Sequence, residues 1–226
     1  MAASDPDSLV RLLGGRTGAV DASAPGLVFV GVLLLSDDLL VPVAAAVVTA
    51  LLLGLVRVLR GRAPRAAALG LLGTLVSALV VARTGRAEDF FLLQLLANGV
   101  SALAWTLSVW LRRPLLGLVV GGVLRQRTAW RRDPDLLRAY SLASWWWVGS
   151  YVLRFVVFVS LWSAGQVVAL GLARAALSWP LVTTVVGLSW WTVRQVLPDG
   201  HPGLRHPVTP QTPGRRLTDP QPSLPD

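Results

Sequence analysis

Residues 151–158 read YVLRFVVF, with Arg154 alone inside an apolar run. That run extends from about Ala139 to Trp162. A helix that crosses a bilayer takes about 20 mostly apolar residues, so this stretch is long enough to span. A surface helix of a soluble protein would set an arginine beside other polar groups, and the neighbours here are valine, leucine and phenylalanine. The stretch therefore reads as a membrane helix with a guanidinium inside it.

The composition agrees. Of 226 residues, 54% are hydrophobic and 15% charged, against about 25% charged in a soluble domain. The formal net charge is +9, and all of the basic residues are arginine. So basic a chain could bind nucleic acid, but it carries no groove-reading motif. Arginine-rich cytoplasmic loops of a polytopic membrane protein explain the charge. There is no cysteine, which excludes disulfides, cysteine metal sites and thiol catalysis. No secretory signal peptide is expected. The first apolar run starts near Pro25, after Asp5, Asp7 and Asp21, with no well-placed cleavage site behind it.

Working outward, hydropathy predicts an all-α polytopic bundle of about six transmembrane helices. They fall at Pro25–Leu35, Leu39–Leu59, Ala66–Ala82, Phe90–Leu111, Ala139–Trp162 and Gln166–Val193. The first is short. Residues 114–124, PLLGLVVGGVL, are too few to span and lie between arginines, so they read as an interfacial or re-entrant helix. The expected organisation is a cytoplasmic N-terminal segment over 1–23 and a membrane domain over 24–196. A basic cytoplasmic loop occupies 112–138, and a disordered Pro-rich cytoplasmic tail occupies 197–226.

Charge sets the orientation. With both termini inside, the inner loops and ends hold Arg57 to Arg65, Arg112 to Arg138, Arg194 and Arg205. The outer loops hold Asp37, Asp38, Glu88 and Asp89 beside Arg83 and Arg86. This is the arginine bias of a bacterial inner-membrane protein with its N-terminus in the cytoplasm. Trp110, Trp145, Trp146, Trp147, Trp190 and Trp191 then fall near inner helix ends, as an interfacial belt requires. His201 and His206 stand apart in the tail, where no metal site is expected.

Arg154 and Arg174 lie on the last two helices at nearly equal distances from the turn at Ala164-Gly165. At about 1.5 Å per residue, both sit about 14 Å below the outer surface. Each costs roughly 2.5–3.5 kcal/mol to insert there, so each needs a partner. Gln94, Asn98, Ser101, Trp105 and Ser108 share one face of the fourth helix, with Asn98 at the depth of the arginines. Asp37 and Asp38 could reach the arginines if the short first helix leaves its outer end recessed. Two readings stay open: buried pairing that fixes the bundle, or a midplane site for an anion formed by Arg154, Arg174, Asn98, Gln94, Asp37 and Asp38.

Short motifs recur. Arg16-Thr-Gly precedes Asp21 and the first apolar run; Arg83-Thr-Gly precedes Asp89 and the fourth. Arg65-Ala-Ala opens the third helix and Arg174-Ala-Ala lies in the sixth. Two three-helix repeats of inverted topology would place a binding site at their interface near the midplane. Hydrolase, phosphate-loop and redox motifs are missing, and Gly14-Gly15 and Gly121-Gly122 lack the strand-turn-helix context of a nucleotide fingerprint. The chain is expected to be no enzyme and to use no cofactor.

Four stretches carry a resemblance: LLGGRTGAVDASAPGLVFV at 12–30, EDFFLLQLLANG at 88–99, RRPLLGLVVGG at 112–122 and WRRDPDLLRAY at 130–140. Together they resemble a family of actinobacterial integral membrane proteins that bears a domain-of-unknown-function label. More distantly, the layout is similar to bacterial intracellular septation protein A. That similarity implies an envelope or cell-division role through protein partners. The leading expectation is a non-enzymatic membrane scaffold whose arginine-rich face meets anionic lipids and envelope or division proteins. The alternative is a protein that binds or transports an anionic small molecule or lipid head group.

Overall fold

The computed structural model describes residues 15–61, 64–124, 128–198, 201–204 and 207. The expectations for residues 1–14, for His206 and for most of the tail lie outside them. The described chain is all-α.

Helix α1, Gly15–Leu33, begins ten residues before the Pro25 expected from hydropathy. Pro25 lies inside it, removing one backbone donor. The polar and small residues 15–23 hide about two and a half turns of helix from a hydropathy reading. Helix α2, Leu40–Leu59, starts where Asp38 Oδ1 accepts from Leu40 N at 2.9 Å. It ends at Gly61, whose φ of +66° suits a residue without Cβ. Helix α3, Pro64–Thr84, opens on a proline and closes before Gly85. A 3-10 turn, Ala87–Phe91, leads into α4, Leu92–Trp110.

Helix α5, Leu115–Val123, has nine residues and cannot span. After the 3-10 turn Ala129–Arg132 comes α6, Pro134–Ser163. Asp133 caps α6 by accepting from Asp135 N at 3.1 Å and Leu136 N at 3.2 Å, with Pro134 next in the position a proline favours. The expected sixth helix is in two pieces: α7, Val167–Ala176, and α8, Trp179–Val196.

Four stretches are long and apolar enough to cross a membrane: Leu40–Leu59, Ala87–Trp110, Pro134–Ser163 and Val167–Val196. Ala24–Leu33 and Ala68–Thr84 are shorter apolar helices. Large side chains such as Leu52, Leu55, Leu103 and Val156 stay exposed. In a multi-pass membrane protein these meet lipid, which supplies no drive to bury them.

Two clusters hold the bundle. At the end bearing the acidic loops, Phe29, Phe90, Phe91, Phe158 and Leu170 pack together. Phe29 stacks on Phe90 at 4.2 Å. Nearby, Trp162 Nε1 donates to the buried Asp89 Oδ1 at 2.8 Å, and Arg86 lies over the Trp162 ring at 5.1 Å. At the basic end, Leu116, Trp130, Leu136, Tyr140 and Val193 form the second cluster. Leu204 packs on it, so residues 201–204 return to the bundle. The side chains of His201 and Asp133 are 6% and 1% exposed, with Nε2 to Oδ2 at 2.9 Å. Gly203 N donates to His201 Nδ1 at 3.0 Å. That leaves Nδ1 as acceptor and Nε2 as the donor to the carboxylate.

Candidate functional site

The break in the last span is made locally. Pro180 has no N–H to offer the Ala176 carbonyl, and the residue before a proline is biased away from helix. Ser178 accordingly has φ −79° and ψ −91°, outside helical values. The Leu177 carbonyl is left without a helical donor at the C-terminal end of α7, where the helix dipole is negative, and the Ser178 carbonyl takes one bond from Val182 N at 3.2 Å as α8 begins, with a lone pair to spare. In a bilayer no water is at hand to satisfy them.

Arg154 answers them. From α6 its Nε donates to Leu177 O at 2.9 Å and its Nη2 to Ser178 O at 3.3 Å. Its Cζ lies 5.5 Å from the centre of the Tyr151 ring. Tyr151 stands beside Trp105, which stacks on Trp147 at 5.1 Å. A tethered guanidinium thus occupies the kind of place where unwound carbonyls of broken helices coordinate a cation.

Arg174 faces elsewhere. It lies against α1, where Gly26 leaves it room: a Cβ there would come 3.4 Å from Arg174 Cδ and 3.5 Å from Nη1. The two arginines, expected side by side, therefore serve different surfaces, one the helix break and the other the α1–α7 joint.

Asn98 is 2% exposed on α4, and its Nδ2 has no hydrogen-bond partner among the described residues. Its neighbour Gly99 abuts Phe155 of α6, the residue after Arg154. Asn98 and Arg154 thus belong to one α4–α6 contact region. Gln94 is half-buried and makes no hydrogen bond among the described residues. Asp37 and Asp38 do not join the site. Both are exposed in the α1–α2 loop, and Asp38 is engaged in starting α2. A short first helix was expected to recess them, whereas α1 starts at Gly15 and both carboxylates lie on the loop surface.

Sequence reasoning placed Asp89 in an outer loop and missed its bond to Trp162. It also placed His201 in a free tail and missed Asp133. The signal for the break was present in Trp179-Pro180. Among the described residues, no group of three or more His, Asp or Glu side chains could hold a metal ion.

Comparison with known proteins gives one match. A model of the family described as "Protein of unknown function (DUF3159)" covers residues 13–199. No curated protein and no solved structure matches the chain.

Proposed function

The chain belongs to the DUF3159 family of proteins of unknown function, and from that premise we propose that it is a non-enzymatic scaffold of the bacterial inner membrane. In this reading it has six spans, with α7 and α8 together forming the last, and both termini lie in the cytoplasm. Its basic end binds anionic lipid and recruits envelope or cell-division proteins with acidic surfaces. The envelope role rests on the resemblance to septation protein A read from the sequence layout and is part of the proposal.

One observation carries it. Arg60, Arg65, Arg112, Arg113, Arg132, Arg138 and Arg194 are exposed at the basic end, and no carboxylate of the described residues pairs with them. Of the two carboxylates at this end, Asp133 is buried against His201, and Asp135 is half-buried in the first turn of α6 and forms no ion pair among the described residues. Beside them, α5 exposes Leu118, Val119 and Val123. Apolar side chains flanked by arginines suit a helix that lies in the head-group layer.

Each arginine near an anionic surface contributes about 1 kcal/mol. Changing Arg112, Arg113, Arg132 and Arg138 to glutamine is therefore expected to weaken capture by about 4 kcal/mol, on the order of 10³-fold at low salt. Crosslinking in native membranes followed by purification reads the partner. Thiol labelling of an engineered cysteine checks that orientation survives, since loop charge also sets topology. Undiminished capture by correctly oriented protein would rule the scaffold reading out.

A second reading, an anion site at the midplane, is favoured by Asn98. A buried donor without an acceptor costs about 1–3 kcal/mol unless something bound supplies one. The packing of the two halves also supports it. Within each half the middle helix touches both others, and the halves meet as first helix on last, the pattern of an inverted repeat. Asn98→Leu separates the readings. An empty site predicts equal or higher thermal stability in nanodiscs, because a lone polar group is replaced by an apolar one of similar size. A ligand site predicts that stabilisation by added organic anions disappears.

A further inference from the structure

The two halves are joined at one end. Beyond isolated touches, the helix pairs that cross between α1–α3 and the rest are α1 with α7, and α3 with the Ala87–Phe91 turn and α4. The first pair involves the half-helix next to the acidic-end turn, and the second centres on the turn that starts α4. Helices α5 and α8 pack within the second half.

Helix α7 is seated on α1. Gly171 touches Val30 so closely that a Cβ there would lie 2.7 Å from Val30 Cγ2, and Arg174 lies against Gly26. Helix α8 is seated on α6. Trp147 Nε1 donates to Ser189 Oγ at 3.2 Å, and Trp146 Nε1 to Thr192 Oγ1 at 2.9 Å. Val193 is buried among Leu136, Ala139 and Tyr140. Both pieces of the span pack on α6, and α7 packs in addition on α1, with a non-helical joint between them. Hinges are a few element-terminal residues that absorb a φ/ψ change.

We propose that Leu177–Ser178 is a hinge on which α1–α3, with α7 seated on them, swing against α4, α6 and α8, and that Arg154 is its catch. The aromatic cluster at the acidic end is the pivot. Arg154 reaches from α6 across the joint and holds both carbonyls, so the joint cannot turn until those two hydrogen bonds lengthen. This motion is independent of whether the basic end recruits partners.

The chain has no cysteine, so two spin labels can be placed cleanly. Leu59 ends α2 and Leu111 follows α4, at 76% and 68% exposure. Both lie at the basic end, one on each half. A swing of about 20° would move the far end of a helix about 30 Å long, the length of α2, by about 10 Å. Pulsed electron–electron resonance on Leu59→Cys/Leu111→Cys in nanodiscs is expected to show one dominant distance. Arg154→Gln should add a second population displaced by about 10 Å. Adding Pro180→Ala, which lets the last span run on as a continuous helix, should remove it. A single unshifted distance in folded Arg154→Gln protein overturns the proposal. If that variant does not fold, Arg154→Lys is read instead, because an ammonium lacks the two-pronged geometry. One unshifted distance there overturns the proposal equally.

Discussion

Arg154→Ala is expected to lower the stability of the folded bundle by about 3–6 kcal/mol, the loss of two hydrogen bonds from a charged donor at about 1.5–3 kcal/mol each. The Leu177 carbonyl would be left in the bilayer with neither a protein partner nor water, and the Ser178 carbonyl would keep only its bond from Val182 N. Retaining the arginine is the cheaper state even after its own insertion cost. Unfolding in mixed detergent micelles, followed by far-UV circular dichroism, measures the loss. Leu153→Ala, one residue away and facing outward, is the control and should shift the transition little. Arg154→Lys should recover part of the loss, since one carbonyl can still be reached. Wild-type stability in Arg154→Ala would mean that water reaches the joint, and the last span would then line a wet cavity.

The second large effect is expected at Gly117→Val. Any Cβ at Gly117 would fall 2.7 Å from Trp130 Cη2 and 2.8 Å from Cζ2 and Cζ3. The indole cannot step aside. It is fully buried and set edge-on against Tyr140 at 5.6 Å. Overpacking of this kind costs about 1–3 kcal/mol, with valine toward the upper end. A nine-residue helix is more easily displaced than the long α6, so α5 should lift away. Trypsin cleavage at Arg131 and Arg132 should then accelerate tenfold or more, since each 1.4 kcal/mol is about a factor of ten in local opening. Gly122→Ala on the same helix meets nothing within 4 Å and should leave cleavage unchanged. Equal rates in both variants would mean that α5 does not rest on Trp130.

What could be read in the sequence was whatever side-chain polarity encodes. The apolar runs placed α2, α4 and α6 to within a few residues, and their arginine-rich connections marked one end as basic. The short α5 was legible because length alone decides whether a run can span. The joint at Leu177–Ser178 was concealed by its surroundings. An uninterrupted apolar run reports side chains, and the break is a backbone event signalled by Trp179-Pro180 alone. The same limit applied to Arg154. Its partners are main-chain oxygens, so a search for carboxylates and amides at matching depth could not find them. Asp37 and Asp38 were drawn toward the arginines because α1 was read as starting at Pro25. The polar residues before it gave no sign of helix. His201 was missed because its partner is far away in sequence, and the proline- and glycine-rich neighbourhood of a residue says nothing about distant contacts.

The uneven apolar lengths of the helices carry a consequence for biogenesis. In the first half, α2 is the helix that meets the length and hydropathy of an autonomous span, while the apolar parts of α1 and α3 are shorter. Helix α1 leaves the ribosome before α2, with Pro25 inside it and little apolar length to hold it in lipid. It must therefore wait at the translocon until α2 emerges and offers a packing surface. Insertion then proceeds by hairpins: α2 recruits α1 backward and α3 forward. The orientation of this half would thus be decided by α2, and not by the helix that precedes it.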